Sequence, residues 1–349
     1  MESFTALDIG AYGVKTVRVE KNCREMKLTN IGYSSLREGA VVEGRVVEGE
    51  VVREAIHSSL KKAGTSGRRL LIGLPSAAVY STRVSIPRMS AEELNQAIKW
   101  EAESRLPLAL DEAIIDFVVL EEDESSFQLL LIAARRELVE SYLEPFERNH
   151  LKPLNLNIYP FALYALAKHN LDLRGRNVVL LDIGAENTEL IVIKEKKLNL
   201  FRCFPFGGDN FTAALGDALS LSFDRAEALK KRAGRDLELG GLSNKRIGRI
   251  NSAVAKELRS ELAGTINYFK VEERGRGIDS VYLTGCGSLT SGLKEELARE
   301  LSLRVEWLDP LQNFSLEEGM ATDLMELVPS LAVAIGLTLC ELVVDNNGK

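Results

Sequence analysis

The sequence predicts an α/β protein made of two related lobes, with an extra module inserted into the first. Three observations lead to this. Short β-branched runs alternate with amphipathic stretches at helical spacing, the pattern of strands covered by helices. The run Ala6-Leu7-Asp8-Ile9-Gly10-Ala11 recurs as Leu180-Leu181-Asp182-Ile183-Gly184-Ala185, and each copy leads into a return strand. Such an echo is most simply a duplicated unit. Residues 82–149 read as strand, helix, strand, strand, helix, enough to form a small sheet of their own.

In chain order, Phe4 to Ile9, Val14 to Glu20 and Lys27 to Tyr33 read as a strand meander. Val51, Val52, Ala55, Ile56 and Leu60 share a helical face, and the strand Leu70 to Leu74 stops at Pro75. Ser90 with Glu93 makes a capping box. The helix it opens should bury Leu94, Ala97, Ile98 and Ala102 and must end at Pro107. Runs from Ile114 to Leu120 and Phe127 to Ala133 flank an acidic turn, and a helix then runs to about Asn149. Val178 to Ile183 and Glu189 to Ile193 are the second copy's strands. Helices dominate from Asp209 to Arg274, the longest carrying Val254, Leu258, Leu262, Ile266 and Phe269 as a buried stripe. Ser280 to Leu283 is a strand, and Leu289, Leu293, Leu297 and Leu301 mark a further helix.

Among 349 residues, 44 are basic and 51 acidic, a net charge of −7 that gives no general attraction to nucleic acid or anionic lipid. Cys23, Cys203, Cys286 and Cys340 are scattered, which excludes a disulfide scaffold and favours a reducing compartment. The start, MESFTALDIG, lacks the basic and apolar regions of a signal peptide. Leu327 to Val344 is interrupted by Pro329, Ser330 and Glu341 and reads as a buried helix rather than a span. A cytoplasmic protein without a membrane span is expected. Trp100 and Trp307 read as core or interface anchors, and Lys230-Lys231-Arg232 as a solvated helix face.

The chemistry lies in the turns. An aspartate at a strand end followed by a glycine turn can present backbone N–H groups to phosphate and a carboxylate to Mg²⁺. Two such turns, at Asp8 and Asp182, would grip a polyphosphate from both sides. A third glycine turn, Thr284-Gly285-Cys286-Gly287-Ser288, precedes a helix, where bare backbone can approach a ligand. No Walker A triplet, HExxH or G-x-S-x-G is present, and His57, His150 and His169 are scattered.

These three motifs, in this order, resemble the actin/Hsp70/hexokinase-type nucleotide-binding fold. Nearly the whole chain is similar to the PilM family, actin-like proteins of type IV pilus assembly. The match is carried by Asp8-Ile9-Gly10 with Val14-Lys15, by Val84 to Leu94 with Trp100 to Glu103 and Leu106-Pro107, and by Phe206-Gly207-Gly208 with Thr212. Thr284 to Gly287 and Leu331 to Gly336 extend it. The resemblance implies an actin-like ATPase fold of duplicated ribonuclease H-like lobes, with an insertion subdomain of the kind shared with FtsA. Residues 1–81 and 150–176 would form the first lobe and 82–149 the insertion. Residues 177–208 and 277–349, including the C-terminal helix, would form the second lobe, and 209–276 a helical subdomain.

It also implies ATP and Mg²⁺ between the lobes. Asp8, Gly10, Ala11, Gly13 and Lys15 would form the first phosphate loop; Asp182, Gly184, Ala185, Asn187 and Thr188 the second. Asp8 and Asp182 would face the metal through water. Gly207 and Gly208 would flank the nucleotide, Glu227 and Lys230 would contact ribose or base, and Gly285, Cys286, Gly287 and Ser288 the adenosine. The insertion would offer a groove to the N-terminal cytoplasmic tail of a PilN-like membrane protein, with PilO and the pilus motor ATPases reached indirectly. The protein would then sit at the bacterial inner membrane through protein partners, with self-association left open.

Three departures bear on turnover. Ala11 and Tyr12 follow the first Asp-x-Gly where a hydroxyl is usual, and Cys286 replaces a glycine. Tyr159 stands where the fold places a Glu or Gln to orient water, and a phenol with a pKa near ~10 is a poor base at neutral pH. Slow or absent hydrolysis is expected. The alternatives are a component of a GspL-like type II secretion or MSHA-type pilus system, an FtsA-like polymerising cytoskeletal ATPase, and a small-molecule kinase. Tyr159 speaks against the kinase. The ending Val343 to Lys349, without an amphipathic membrane-targeting helix, speaks against the FtsA-like filament.

Overall fold

The computed structural model describes residues 2–22, 25–65, 69–235, 242–317 and 322–344. Cys23 and the last five residues of the tail ending at Lys349 lie outside them. The elements, in order, begin with strands β1 Glu2–Gly10, β2 Gly13–Lys21 and β3 Met26–Ser35, the short hairpin β4 Val41–Val42 and β5 Arg45–Val46, helix α1 Gly49–Lys62 and β6 Leu70–Leu74. Next come β7 Val79–Pro87, α2 Ala91–Arg105, β8 Ala113–Glu122, β9 Ser126–Arg135, α3 Arg136–Arg148, β10 Pro153–Ile158 and α4 Tyr159–Asn170. The second half runs β11 Asn177–Ile183, β12 Thr188–Lys194, β13 Lys197–Phe204, α5 Gly208–Leu219, α6 Phe223–Arg235, α7 Leu242–Glu272 and β14 Ser280–Thr284. It closes with α8 Leu293–Leu301, β15 Arg304–Trp307, β16 Ser315–Leu316 and α9 Ala332–Val344.

The echoed motif lies at the same place in two sheets of the same topology. One sheet has the order β10-β6-β1-β2-β3-β16, the other β15-β14-β11-β12-β13. In each, the Asp-x-Gly strand runs antiparallel to the strand after it and parallel to the strand on its other side. Only β16, added beside β3, breaks the match. The duplicated lobes read from the sequence are therefore real at the level of strand order.

Both Asp-x-Gly strands are central and buried on both faces, which explains their near-continuous apolar runs. A large core holds β1, β2, β6, α1, α4 and α9; a second holds β11, β12, β14, α7 and α8. The insertion sheet, β7-β9-β8, alternates its faces. Leu129, Leu131 and Ala133 pack with Ile98 and Ala102 of α2, whereas Leu130, Ile132 and Ala134 join the large core. The capping box at Ser90 and Glu93 forms as expected.

Several expectations change. The terminal helix α9, expected with the second lobe, lies against α4 and the first sheet, with Leu331 to Leu339 buried there. Its approach to α4 needs Gly336, where a Cβ would stand 2.1 Å from the Ala162 carbonyl oxygen. Leu289 is not part of α8; a short 3-10 turn over Cys286–Leu289 precedes it, and Gly292 with φ +79° starts the helix. Neither tryptophan is in the core: Trp100 is 77% exposed, and half-exposed Trp307 carries Lys294 on its ring. No helix among the described residues is long and apolar enough to cross a membrane.

Candidate functional site

The β1–β2 hairpin is a two-residue turn, with Gly10 opposite Gly13 and Ala11-Tyr12 at its tip. Gly13 is required by Tyr33, since a Cβ there would lie 2.4 Å from the Tyr33 ring. Asp8, 3% exposed, stands directly across the ladder from Lys15. The Lys15 ammonium donates to Asp8 Oδ2 at 2.7 Å, and the Tyr159 hydroxyl donates to Oδ1 at 2.5 Å. Burial pulls the Lys15 ammonium down, but the Asp8 charge and hydrogen bond outweigh it and hold its pKa above the ordinary value. Tyr159 begins α4 beneath the sheet and is held far above the usual phenol range by burial and by the Asp8 charge. In this arrangement it is a hydrogen-bond donor to Asp8.

The second turn differs in shape. It runs through four residues, closed by the Gly184 N–H on the Asn187 carbonyl at 2.9 Å. Asp182 lies partly buried at the end of β11. Among the described residues its carboxylate makes no hydrogen bond or ion pair. Burial, reinforced by the Asp8 charge, pushes it up to about 7. The Lys15 charge opposes that rise, and among the described residues no group of three or more His, Cys, Asp or Glu side chains that could hold a metal ion is found.

Three glycine turns pack directly on one another behind Asp182. Gly208 N–H donates to the Gly184 carbonyl and Asp209 N–H to that of Ala185, both at 2.9 Å. A Cβ at Gly207 would stand 2.2 Å from the Ala185 carbonyl oxygen. Gly285 has φ +80°, and a Cβ there would meet Asp182 Oδ1 at 2.4 Å. At Gly287 it would meet the Gly184 carbonyl at 2.7 Å. These glycines serve loop-on-loop contact first. The exposed Cys286 side chain stands near Lys15 and Asp182.

The structure thus brings together Asp8, Lys15, Asp182, Gly184, Ala185, Gly207, Gly208, Gly285, Cys286 and Gly287. Two predicted contacts turn inward instead. Thr188 is buried and donates to the Phe206 carbonyl at 2.6 Å, and Ser288 is buried on the Gly285 carbonyl at 2.7 Å. Lys230 is not on a solvated face; it is buried, donating to the Gly208 carbonyl, Thr212 and Glu227, while Lys231 and Arg232 are exposed. Glu227 is held below the usual carboxylate range, its burial outweighed by the Lys230 and Thr212 hydrogen bonds.

Three contacts joining the lobes escape a reading of the sequence. The Tyr12 hydroxyl donates to Asp209 Oδ2 at 2.8 Å, spanning from the first turn to the N-terminus of α5. Glu43 N–H donates to Glu186 at 3.0 Å. Deeper, the Ser76 N–H donates to Glu189 Oε1 at 3.0 Å and its hydroxyl to Oε2, with the Cys203 thiol alongside. Burial pushes Glu189 up to about 7. Each links residues more than a hundred positions apart, so no local spacing signals them.

A separate groove lies on the outer side of the first lobe. Leu143 and Glu147 of α3 form one wall and Leu154 and Leu156 of β10 the other, with His150 at the end. β10 is the edge of its sheet among the described residues, and Leu154 is 53% exposed.

The chain is similar to the solved "PilM-PilN type IV pilus biogenesis complex", with 29% identity and a TM-score of 0.83 over 96% of this chain and 97% of that one. Its likeness to MreB 5 of Spiroplasma citri bound to AMPPNP is in fold alone: 12% identity and a TM-score of 0.56, over 99% of this chain and 98% of that one. It is 22% identical over 260 residues to the cell division protein FtsA of Bacillus subtilis (strain 168). That match takes in 67% of this chain but spans only 58% of FtsA. With the duplicated topology, these likenesses make the fold actin-like. A family model described as type IV pilus assembly protein PilM matches residues 6–342, and the chain belongs to that family.

Proposed function

We propose that the protein is a nucleotide-stabilised scaffold of type IV pilus assembly, which binds ATP with Mg²⁺ between its lobes and the cytoplasmic tail of a PilN-type membrane protein in the α3–β10 groove. It would thereby sit in the cytoplasm beside the inner membrane, held there by protein rather than lipid. PilO and the motor ATPases would be reached through that platform. The observation that carries this reading is the likeness to the PilM–PilN complex over nearly the whole of both chains.

The cleft residues fit the nucleotide. Among the described residues the Asp182 carboxylate makes no hydrogen bond or ion pair, and burial pushes it up to about 7, which a cation would lower. Asp8 and Asp182 would hold Mg²⁺ through water, and the turns at 10–13 and 184–187 would face the phosphates. The Gly208, Glu227 and Lys230 corner, with the 285–287 turn, would flank the nucleoside. Bound Mg²⁺ supplies charge neutralisation to the phosphates. Lys15 orients the Asp8 carboxylate, while Tyr159 holds its proton and offers no base for water. Binding would favour the closed lobes without turnover.

Titrating the full chain with a peptide of a PilN-type N-terminal tail, with and without ATP·Mg²⁺, tests the reading. Micromolar or tighter binding that is lost in Leu143→Asp or Leu154→Asp is expected. No binding by the wild type, or binding indifferent to the groove variants, would overturn it. Robust Mg²⁺-dependent phosphate release abolished by Asp8→Ala would overturn the part concerning slow hydrolysis.

A further inference from the structure

Two fixed points face each other across the cleft. The tip of the first turn is tied to its own lobe, since the Tyr12 carbonyl accepts from the Leu36 N–H at 2.9 Å and from the Tyr33 hydroxyl at 3.2 Å. Asp209 is tied to the opposite side at the start of α5, its N–H bonded to the Ala185 carbonyl of the second turn. With both backbones held, side chains make the crossing, the Tyr12 hydroxyl donating to Asp209 Oδ2 at 2.8 Å. The contact is half-buried and Glu38 and Glu43 nearby are exposed, which puts it at the mouth of the cleft, whereas the Ser76–Glu189 contact lies deeper. The Lys230 charge also favours the Asp209 carboxylate, while Glu227 and Glu38 oppose it. Closing the lobes thus sets Glu38 and Glu43 of the first against Glu186 and Asp209 of the second. Like charges there push the lobes apart, and the phenol is an uncharged donor that ties them together.

We propose that the Tyr12–Asp209 contact is a clasp whose opening sets the rate at which nucleotide enters and leaves the cleft. This deepens the function proposed above and rests on nucleotide binding there. The clasp joins the turn at 10–13 to the corner where the 184–187 turn meets α5, so separating the two turns breaks it. A phenol bonded to a carboxylate makes a charge-assisted hydrogen bond, stronger than one between neutral groups. Formed in the free and the loaded chain alike, it resists opening equally in both. Loss of the hydroxyl therefore speeds entry and release together and leaves the affinity unchanged. A direct ligand contact would behave differently, its loss speeding release alone and weakening binding. A side chain standing in the ligand's way would differ in the opposite sense, its loss speeding entry alone.

The test follows a fluorescent ATP analogue with Mg²⁺ by stopped flow on the full chain. Tyr12→Phe keeps the ring and should raise the association and dissociation rate constants together, by about 10-fold each, with Kd within about 2-fold of wild type. Asp209→Ala should act in the same direction, and the double variant should be no faster than the faster single one. Amide exchange supplies a readout without nucleotide. The Glu43 and Ser76 N–H groups reach across the lobes to Glu186 and Glu189, and should exchange about 10-fold faster in Tyr12→Phe. The Gly208 N–H, bonded to Gly184 within the second lobe, should not change. Unchanged or slower kinetics, a change confined to one rate constant, additive effects in the double variant, or unaltered exchange at Glu43 and Ser76 overturns the clasp and leaves the scaffold reading standing. A wild type that does not bind the analogue overturns the clasp and the nucleotide part of that reading together.

Discussion

Glu189→Gln isolates the deepest contact between the lobes. The Glu189 carboxyl is 5% exposed, bonded to Ser76 and pushed up to about 7 from an ordinary 4.5 by burial. Between these values the folded chain holds a proton that the unfolded chain has released. The associated stability is therefore complete below about pH 4.5 and lost as pH rises through 7. At about 1.4 kcal/mol per pH unit, the loss is about 3 kcal/mol. Glutamine keeps an acceptor for the Ser76 N–H and puts an NH₂ where Oε2 stood, so that the Ser76 hydroxyl must turn to accept from it, but it does not ionise. Urea denaturation followed by far-UV circular dichroism, from about pH 5 to pH 8, should show the variant gaining on the wild type by up to about 3 kcal/mol as pH rises. Curves that stay parallel across this range would refute a buried, protonated Glu189. Cys203 and the charge of Asp182 are the titratable neighbours, and both remain in the variant.

Gly285→Ala places a Cβ 2.4 Å from Asp182 Oδ1 at φ +80°; a loss of about 1–3 kcal/mol and weaker ATP binding are expected by thermal unfolding and nucleotide titration. An unchanged melting temperature would remove the steric argument. Tyr159→Phe strips one donor from a buried carboxylate while keeping the ring against Gly73, and should cost about 1–3 kcal/mol in denaturant titration at neutral pH. Trp100→Ala should change stability by less than about 0.5 kcal/mol, because the ring is 77% exposed; a larger loss in the same titration would mean that it packs in solution.

What was legible in the sequence was local. The Asp-x-Gly echo survives because each copy is a central strand and its own turn, so a dozen adjacent residues carry the whole signal. The capping box at Ser90 and the stripe on α7 are legible for the same reason. The cleft's polar wiring was not. Tyr12 reads as a lost phosphate hydroxyl, yet its phenol reaches Asp209, 197 positions away. Thr188 and Ser288 have the residue types of ligand contacts and are instead consumed by neighbouring carbonyls. Of the two roles open to Trp100, core or interface anchor, its exposure on α2 removes the first, which its residue type alone could not decide. The placement of α9 depended on Gly336 meeting Ala162, a contact between distant segments that periodicity cannot locate.

The mutual packing of the three glycine turns has a consequence for the history of such a chain. Gly207, Gly285 and Gly287 are each fixed by a carbonyl or side chain of the turn around Asp182, independently of any nucleotide. A descendant that ceased to turn over ATP, or to bind it, would still be unable to discard them one at a time without breaking the second lobe. The motifs are thus ratcheted in place by architecture.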